Sequence, residues 1–412
     1  MKIGMLTQWF DPEPGPAAIP GVLAREFVRA GHEVSVLTGF PNYPEGKLHE
    51  GYRQRPRVTE RVAEVSVTRV PLYPNHNSSA IGRVANYMSF AASAAIFGGR
   101  ALKDADAVWV YNSPVSVSWP LFAHTHNGSV PYFLHVQDLW PDSLIESGMF
   151  TAGAAGKVIE ASIRRVVQTT ENRAAVIGVI SPSVRELILS RNPGIPASKI
   201  VYVPNPADET LFVPAATIRA PRTPERQDRF ELLYLGAMGN VQGLDTVLQA
   251  AKILASDPRI TIALVGDGIA RDRLEKEAAV MNLTNLRFYP RIGKGAVPAA
   301  IAAADANLVS LAASEFLEHT TPSKIASLLA SEVPIIGQIA GDGADLLKES
   351  GSALIAAPGD AEGLAGAIKE LADRTDTERQ QMASSGLRYY RANLSAKVAA
   401  EKVVNALKES IT

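Results

Sequence analysis

A lysine stands in the first turn of a predicted helix, at the end of the run Thr321-Pro322-Ser323-Lys324. The run is a typical helix start, because proline fits the first helical position and Ser or Thr can cap it. A cation at a helix N-terminus is unfavourable by about a few tenths of a kcal/mol unless an anion lies there. Lys324 therefore predicts a phosphate at this helix end. The alternative is a capped helix whose lysine lays its aliphatic stem along the surface.

Two glycine-containing loops could present backbone N–H groups to an anion. Residues 236–245, GAMGNVQGLD, lead into a helix, and residues 11–21, DPEPGPAAIPG, follow the first predicted strand. Such loops are frequent phosphate or sugar sites, and an ordinary strand-to-helix turn is the alternative for both. The loop at 236–245 has no Lys or Arg. A charge at this loop must therefore come from Lys324, or from Arg291 and Lys294 after another predicted strand.

Polar side chains gather at the end of the predicted strand YFLHVQD, where His135 and Gln137 alternate and Asp138 comes last. These groups could contact a substrate, whereas a lone histidine in a strand is more often a hydrogen-bonded structural residue. Asp138 has a similar alternative as a turn or cap residue. The seven histidines show no metal-ligand spacing, and no G-x-S-x-G elbow occurs. No metal site and no serine nucleophile are therefore predicted.

The composition narrows the class of protein. The 412 residues are 46% hydrophobic and 20% charged, and 41 basic against 42 acidic side chains give a formal net charge of −1. This balance argues against a nucleic-acid partner bound through a broad basic face. With no cysteine, disulfides and thiolate chemistry are excluded. The start MKIGMLTQWF does not resemble a signal peptide, and no run of about 20 apolar residues occurs, so we expect a cytoplasmic enzyme.

Predicted strands alternate with helical stretches in both halves of the chain, which is typical of doubly wound parallel sheets. The predicted strands are residues 2–7, 33–39, 65–72, 107–111, 132–138, 175–181, 200–205, 231–237, 260–268, 286–290, 306–311, 333–337 and 352–357. A Pro- and Arg-rich stretch without apolar periodicity indicates a linker at 211–229. We therefore predict an α/β fold of two tandem Rossmann-like domains, 1–210 and 230–392, that face each other across a cleft. The final helix, 393–412, is expected to pack back on the first domain.

Residues 84–102, VANYMSFAASAAIFGGRAL, predict a strongly apolar helix. A core helix or a homodimer face would explain it. A peripheral membrane contact or a lipid-acceptor groove is the other interpretation, and Arg53, Arg55 and Arg57 would assist it electrostatically.

Several stretches together resemble the retaining GT-B-fold glycosyltransferases of the glycogen-synthase-like family. The matching stretches are QWFDPEPGPAA, GHEVSVLTGFPNYPEGKLHEGY, DLWPDS, ISPSVRELI, VPNPADETLF, GAMGNVQGLDTVLQAA, LVGDG, TPSKI and VPII. The run GFPNYP followed by DLWP is similar to the bacterial branch that transfers amino- or deoxy-sugars in surface-polysaccharide assembly. The resemblance extends over almost the whole chain.

The resemblance implies transfer of a hexosyl group from a nucleotide-diphosphate sugar to an acceptor hydroxyl, with retention of configuration and without a metal or other cofactor. A UDP-sugar is the expected donor, and the acceptor is a sugar, a natural product or a lipid-linked molecule. The residues that it implies in catalysis are Asp138, Gln137, Lys324 and Glu318. Those that it implies in binding the donor are Gly15, Pro16, Gly236, Gly239, Asn240, Arg291, Ile292, Glu315, His319, Thr320, Thr321, Ser323 and Ser327.

Four positions depart from the family pattern. Ser327 replaces the usual ribose-binding glutamate, Ala237 and Gln242 replace the usual cations of the glycine loop, and Gln137 replaces a His or Arg. A carboxylate can accept from both ribose hydroxyls and a serine cannot, so we expect weaker nucleotide binding or a donor held by its phosphates and sugar. The alternative function is a catalytically silent GT-B scaffold that acts as a binding or partner subunit. An epimerase would need a paired acid and base that the sequence does not show.

Overall fold

The computed structural model describes residues 1–76, 80–125, 130–142, 154–220 and 229–411. The chain divides into two compact units, of which the first comprises residues 1–205 with 396–412 and the second comprises residues 206–395. Of the linker predicted at 211–229, residues 221–228 lie outside the described residues.

The first unit is built on an eight-stranded sheet. Its strands are β1 (Lys2–Leu6), β2 (Glu33–Gly39), β3 (Val58–Val62), β4 (Val65–Val70), β5 (Ala107–Asn112), β6 (Tyr132–Val136), β7 (Val176–Val179) and β8 (Ile200–Tyr202), and their order is β3-β4-β2-β1-β5-β6-β7-β8. All pairs are parallel except β3 with β4. Every residue of β5 and β6 is buried, as expected of central parallel strands covered on both faces.

The described helices that precede the second unit are α1 (Ile19–Arg29), α2 (Ala80–Phe97), α3 (Ser118–His124), α4 (Ala154–Arg173) and α5 (Pro182–Arg191). Helix α1 begins at Ile19, and Pro20 fits its first turn. Helix α2 ends before the pair Gly98-Gly99, short of the predicted end at Leu102. Strand β3 was not predicted, because it is an edge strand whose side chains are at least partly exposed and largely polar.

The second unit has a six-stranded sheet in which every pair is parallel. Its strands are β9 (Phe230–Leu235), β10 (Ile260–Val265), β11 (Leu286–Tyr289), β12 (Ala306–Ser310), β13 (Ile335–Gln338) and β14 (Ala353–Ala356), in the order β11-β10-β9-β12-β13-β14. Its helices are α6 (Asp245–Ile253), α7 (Arg271–Val280), α8 (Val297–Ala303), α9 (Glu315–Glu318), α10 (Ser323–Ala330), α11 (Gly341–Ser350), α12 (Ala361–Asp373) and α13 (Asp376–Asn393).

Hydrophobic clusters cover both faces of this second sheet. Neighbouring residues of a strand point to opposite faces, and Ile335 and Ile336 of β13 belong to different clusters. Helices α6 and α12 contribute Leu248 and Leu364 to one cluster, and α10 contributes Ile325 to the other. Both units are therefore doubly wound, Rossmann-like α/β domains, which confirms the fold class predicted from the alternation of strands and helices.

The last helix, α14 (Ala396–Ile411), belongs to the first unit although the rest of the second unit precedes it in the chain. Its residues Ala399, Val403 and Leu407 are fully buried and share a cluster with Leu23 and Phe27 of α1. The C-terminus thus completes the core of the N-terminal unit. None of the described helices is both long and apolar enough to span a membrane.

Candidate functional site

The order of strands in the second unit reverses between β9 and β12. The chain runs outward from β9 to β10 and β11 on one side, and from β12 to β13 and β14 on the other. Open α/β sheets bind ligands beyond the carboxyl ends of the strands at such a switch point. The glycine loop after β9 and the segment that links β12 to α10 both begin at this edge, so they flank the place where a ligand is expected.

The glycine loop after β9 is held by its own backbone. The Gly236 N–H donates to the Val265 carbonyl (3.0 Å), the Met238 N–H to the Asp267 carbonyl (2.9 Å), and the Gly239 N–H to Gln242 Oε1 (2.9 Å). Gly236 and Gly239 therefore do not offer free amides. The N–H groups of Ala237 and Asn240 have no partner within the described residues, and these are the amides available to an anion.

The turn after β10 fixes this loop in place. Gly266 has φ +152°, and a Cβ there would lie 1.8 Å from the Gly236 carbonyl oxygen, so only glycine fits. The Arg271 guanidinium donates to the carbonyl oxygens of Gly266 (2.6 Å) and Tyr289 (3.1 Å), which joins this turn to the end of β11. The glycine loop is thus part of a rigid edge.

The ammonium of Lys324 lies against this loop. Its Nζ is 4.0 Å from the centroid of the buried Tyr234 ring, and a Cβ added at Gly236 would be 3.1 Å from it. Gly236 therefore provides the space that the ammonium occupies. Over the described parts of the chain, Lys324 has no hydrogen bond or ion pair, and loss of water lowers its pKa from 10.5 to about 7. Such an ammonium is stabilised by a bound anion.

Helix α10 turns one side away from the core. Ser323 is exposed and Lys324 and Ser327 are partly buried, whereas the other residues of α10 are buried; the spacing of three and four places these three on one side. A phosphate at the start of the helix would therefore also be near Ser327, one turn further along. Ser327 has no side-chain partner in the described residues.

The acidic stretch before α10 forms the short helix α9. Glu315 and Glu318 are exposed on it, and His319 and Thr320 follow half-buried. The backbone of α9 is fixed by Gly341 at the start of α11. Gly341 has φ +64°, and a Cβ there would lie 2.0 Å from the Glu318 carbonyl oxygen. The two carboxylates are thus presented on a fixed backbone next to α10.

The cations after β11 differ from Lys324. Lys294 pairs with Asp208 at 3.8 Å, so its charge is already compensated. Arg291 is exposed, while the Ile292 side chain packs beside Leu235 against a small apolar cluster. Among the described residues, no group of three or more His, Asp or Glu side chains is arranged to hold a metal ion.

The first unit has a switch point of its own, between β1 and β5. The loop with Gly15 and Pro16 follows β1, and the Tyr111 hydroxyl of β5 donates to the Pro16 carbonyl (3.1 Å). Asp138, after β6, accepts from the Ser113 hydroxyl (2.6 Å), which follows β5. Burial raises the pKa of Asp138 and the hydrogen bond from Ser113 opposes this rise.

Gln137 stands beside Asp138, and its Oε1 accepts from Asn205 Nδ2 at 2.6 Å. The predicted strand end and the loop with Gly15 thus meet at the same edge of the first sheet. His135 does not belong to this edge: it is fully buried, its Nε2 is 3.0 Å from the Val203 carbonyl oxygen, and burial lowers its pKa to about 4.

Sequence reasoning missed three residues at these edges. Glu13 is buried and accepts from the backbone N–H groups of Phe10 (3.1 Å), Asn42 (2.8 Å) and Tyr43 (2.9 Å). Burial raises the pKa of Glu13 to about 7, and these amides oppose the rise. Ser113 and Tyr234 were also missed. A search for polar residues directly after each buried strand would have found Ser113.

The environment of Lys324 predicts a pH-dependent cost to stability. The folded pKa lies below the unfolded value, so the folded state binds fewer protons between pH 7 and pH 10.5 and stability rises with pH over this range. We expect Lys324→Met to raise the free energy of unfolding at pH 6 by about 1–2 kcal/mol, and by less at pH 9. Calorimetric unfolding without ligand measures this.

Lys252→Met is the matched control, because Lys252 is exposed on α6 of the same unit and has no ion pair among the described residues. An equal effect of Lys324→Met at both pH values would show that the ammonium is not desolvated.

Residues 15–206 match the family "Glycosyl transferase 4-like domain", and residues 229–374 match "Glycosyl transferases group 1". Among curated proteins, WcaI of Escherichia coli (strain K12), a glycosyl transferase named for colanic acid biosynthesis, is 27% identical over 340 residues, which cover 80% of this chain and 81% of WcaI.

Solved structures share the fold over the full length. Anabaena HepE in complex with UDP is similar with a TM-score of 0.69 at 16% identity, over 99% of this chain and 100% of HepE. The E. coli trehalose-6-phosphate structure bound with UDP-2-fluoro glucose gives a TM-score of 0.71 at 14% identity over 99% of both chains. At this identity the likeness shows the fold. With two family matches that together reach from residue 15 to residue 374, the chain belongs to the GT-B-type glycosyltransferases.

Proposed function

We propose that this glycosyltransferase moves a hexosyl group from a UDP-sugar to an acceptor hydroxyl, with retention of configuration and without a metal ion. The observation that carries the proposal is the ammonium of Lys324, which has no ion pair among the described residues, at the switch point of the second sheet. A desolvated cation beside free backbone amides and a helix N-terminus suits a diphosphate.

The main requirement of this reaction is that the protein stabilises the diphosphate leaving group. When the bond between the sugar and the diphosphate breaks, negative charge grows on the phosphate oxygen. Lys324, the N-terminus of α10 and the amides of Ala237 and Asn240 would meet this charge, in the role that a divalent cation has in other transferases. We propose no carboxylate nucleophile; the leaving phosphate helps to take the proton of the acceptor hydroxyl.

The donor sugar and the nucleoside require further contacts. Glu315 and Glu318, with His319, Thr320 and Thr321, are proposed to bind the sugar hydroxyls. Arg291 and Ile292 are proposed to meet the base through main-chain groups, since they directly follow β11 at the same edge. In the first unit, Gln137 and Asp138 are proposed to orient the reacting groups near the loop with Gly15 and Pro16.

The comparisons support the choice of donor and product class. HepE was solved with UDP and with UDP-glucose, and the E. coli trehalose-6-phosphate structure was solved with UDP-2-fluoro glucose. WcaI is named for biosynthesis of colanic acid, and we propose assembly of a surface polysaccharide for this chain also.

Nucleotide binding tests the Lys324 site directly. At pH 8 the free amine is largely neutral because its pKa is about 7. A bound diphosphate favours the ammonium, so we expect UDP binding to take up nearly one proton and to weaken by up to tenfold for each pH unit above 7. Titration calorimetry in buffers of different ionisation enthalpy measures the uptake, with GDP and dTDP to compare the bases.

Lys324→Met should weaken UDP binding by roughly tenfold or more and abolish the proton uptake, since a charge-assisted hydrogen bond is worth about 1.5–3 kcal/mol. Lys252→Met is the control and should bind UDP normally. The proposal fails if no nucleotide binds, or if Lys324→Met binds UDP with unchanged proton uptake.

Ser327→Glu tests where the ribose lies. A carboxylate on the outward side of α10 should accept from both ribose hydroxyls and tighten UDP binding by roughly tenfold, from about 1.5 kcal/mol of charge-assisted hydrogen bonding. Ser327→Gln fills a similar space without charge and should gain less. The gain should vanish for 2′,3′-dideoxyuridine diphosphate, which has no ribose hydroxyls, and a gain that persists with it would place the ribose elsewhere.

Turnover tests stereochemistry and metal dependence. Turnover is measured with a UDP-sugar that binds and an acceptor that the enzyme uses. We expect nuclear magnetic resonance to show that the product has the same anomeric configuration as the donor. UDP release should continue in EDTA, because Lys324 and the end of α10 supply the positive charge. An inverted product, or loss of activity in EDTA that Mg²⁺ or Mn²⁺ restores, would contradict the proposal.

A further inference from the structure

Helix α2 turns an apolar side to the solvent. Ile81, Val84, Met88 and Ile96 are 83%, 53%, 46% and 72% exposed. Ala85 is also exposed, and Ala92 and Ala95 are half-exposed. At about 100° per residue these seven positions fall within an arc of roughly 120° and extend along about 22 Å of helix. A surface helix normally has its polar residues on this side.

Polar contacts on the inner side fix this orientation. The buried Asn86 accepts from Gln8 Nε2 (2.6 Å) and donates to the Tyr73 carbonyl (2.7 Å). The Ser89 hydroxyl accepts from the Tyr73 N–H at 2.8 Å. Rolling the helix to bury its apolar side would leave these groups unpaired, which is costly. The apolar side therefore stays outward.

The surroundings of this side are basic. Residues 65–103 contain no Asp or Glu, and apart from the buried Arg69, which pairs with Glu60, they contain the cations Arg83, Arg100 and Lys103. Arg53, Arg55 and Arg57 are exposed, and residues 51–59 also lack Asp and Glu. Gln54, between the first two arginines, exchanges two hydrogen bonds with Leu72 (2.9 and 2.7 Å), next to the Tyr73 that contacts α2. The arginine stretch thus lies beside the segment that contacts α2, although the whole chain has a net charge of −1.

We propose that the outer side of α2, together with Arg53, Arg55 and Arg57, docks on an anionic lipid surface; these residues are called the docking face. Apolar side chains would enter the boundary between headgroups and acyl chains, and the arginines would meet the anionic headgroups. The helix lies along the surface in this arrangement and does not cross the membrane.

A second copy of the chain fits this face less well. The apolar stripe is one side of a single helix, about 22 Å long and about 10 Å wide. A stable dimer buries about 800 Å² on each partner. A symmetric contact would also bring two sets of arginines together without carboxylates in the same segments. Lipid headgroups supply the opposite charge.

Sedimentation with vesicles tests the proposal. We expect the full chain to bind vesicles of phosphatidylcholine with phosphatidylglycerol at low salt, to lose most of this binding at high salt, and to bind pure phosphatidylcholine weakly. Two triple variants, Ile81→Ser/Val84→Ser/Met88→Ser and Arg53→Gln/Arg55→Gln/Arg57→Gln, should each lower the partition coefficient at least tenfold.

Matched controls come from the second unit. Ile269→Ser/Val280→Ser removes two apolar side chains that are each 83% exposed. Lys252→Gln/Lys276→Gln/Arg287→Gln removes three exposed cations. Neither should change vesicle binding. All four tryptophans lie in the first unit, so their fluorescence checks that the docking-face variants fold.

Absence of vesicle binding overturns the proposal, as does binding that the docking-face variants and the controls lower equally. A dimer in sedimentation velocity that the Ile81 triple variant dissociates, without vesicle binding, would make the face a contact between copies and also overturn it. UDP titration of the same variants should be unchanged, so failure here is distinct from failure of the proposed UDP site.

Discussion

The second unit is organised around one unfavourable arrangement, an ammonium that has lost water and, within the described parts of the chain, has gained only the face of an aromatic ring. Lys324 lies over Tyr234, in space that exists because residue 236 has no side chain. The surrounding structure makes this arrangement rigid. Gly266 admits the Gly236 carbonyl, Arg271 joins the turn to β11, and the start of α10 is set by its proline. The free-energy cost of removing water from the ammonium is tolerated where function requires it, and a bound anion offsets this cost.

The sequence was sufficient for the fold class, because buried parallel strands are continuous apolar runs that alternate with helices. It also identified Lys324, because a cation in the first turn of a helix conflicts with the helix dipole. It failed where the structure depends on contacts between distant segments. The amides of Gly236 and Gly239 are occupied by Val265 and Gln242. The partners of Glu13 include amides about 30 residues away. No local pattern shows either fact.

Helix α2 shows a different limit of sequence reasoning. Its composition is so apolar that periodicity does not tell its inner side from its outer side, and a core helix was a reasonable interpretation. The rotation of α2 about its axis is determined by Asn86 and Ser89, which form hydrogen bonds with Gln8 and Tyr73. Three polar contacts thus determine which half of an apolar helix meets the solvent.

The low pKa of Lys324 also has a chemical consequence. Because this pKa is about 7, the Lys324 side chain is an uncharged amine in about half of the molecules at neutral pH. An uncharged lysine is a nucleophile. The Lys324 environment that favours an anion therefore also favours an electrophile that has both a carbonyl group and an anionic group. A phosphorylated aldehyde such as pyridoxal phosphate carries both groups, and its carbonyl would condense with the uncharged amine, with loss of water. The resulting imine, reduced with borohydride, would mark this lysine covalently.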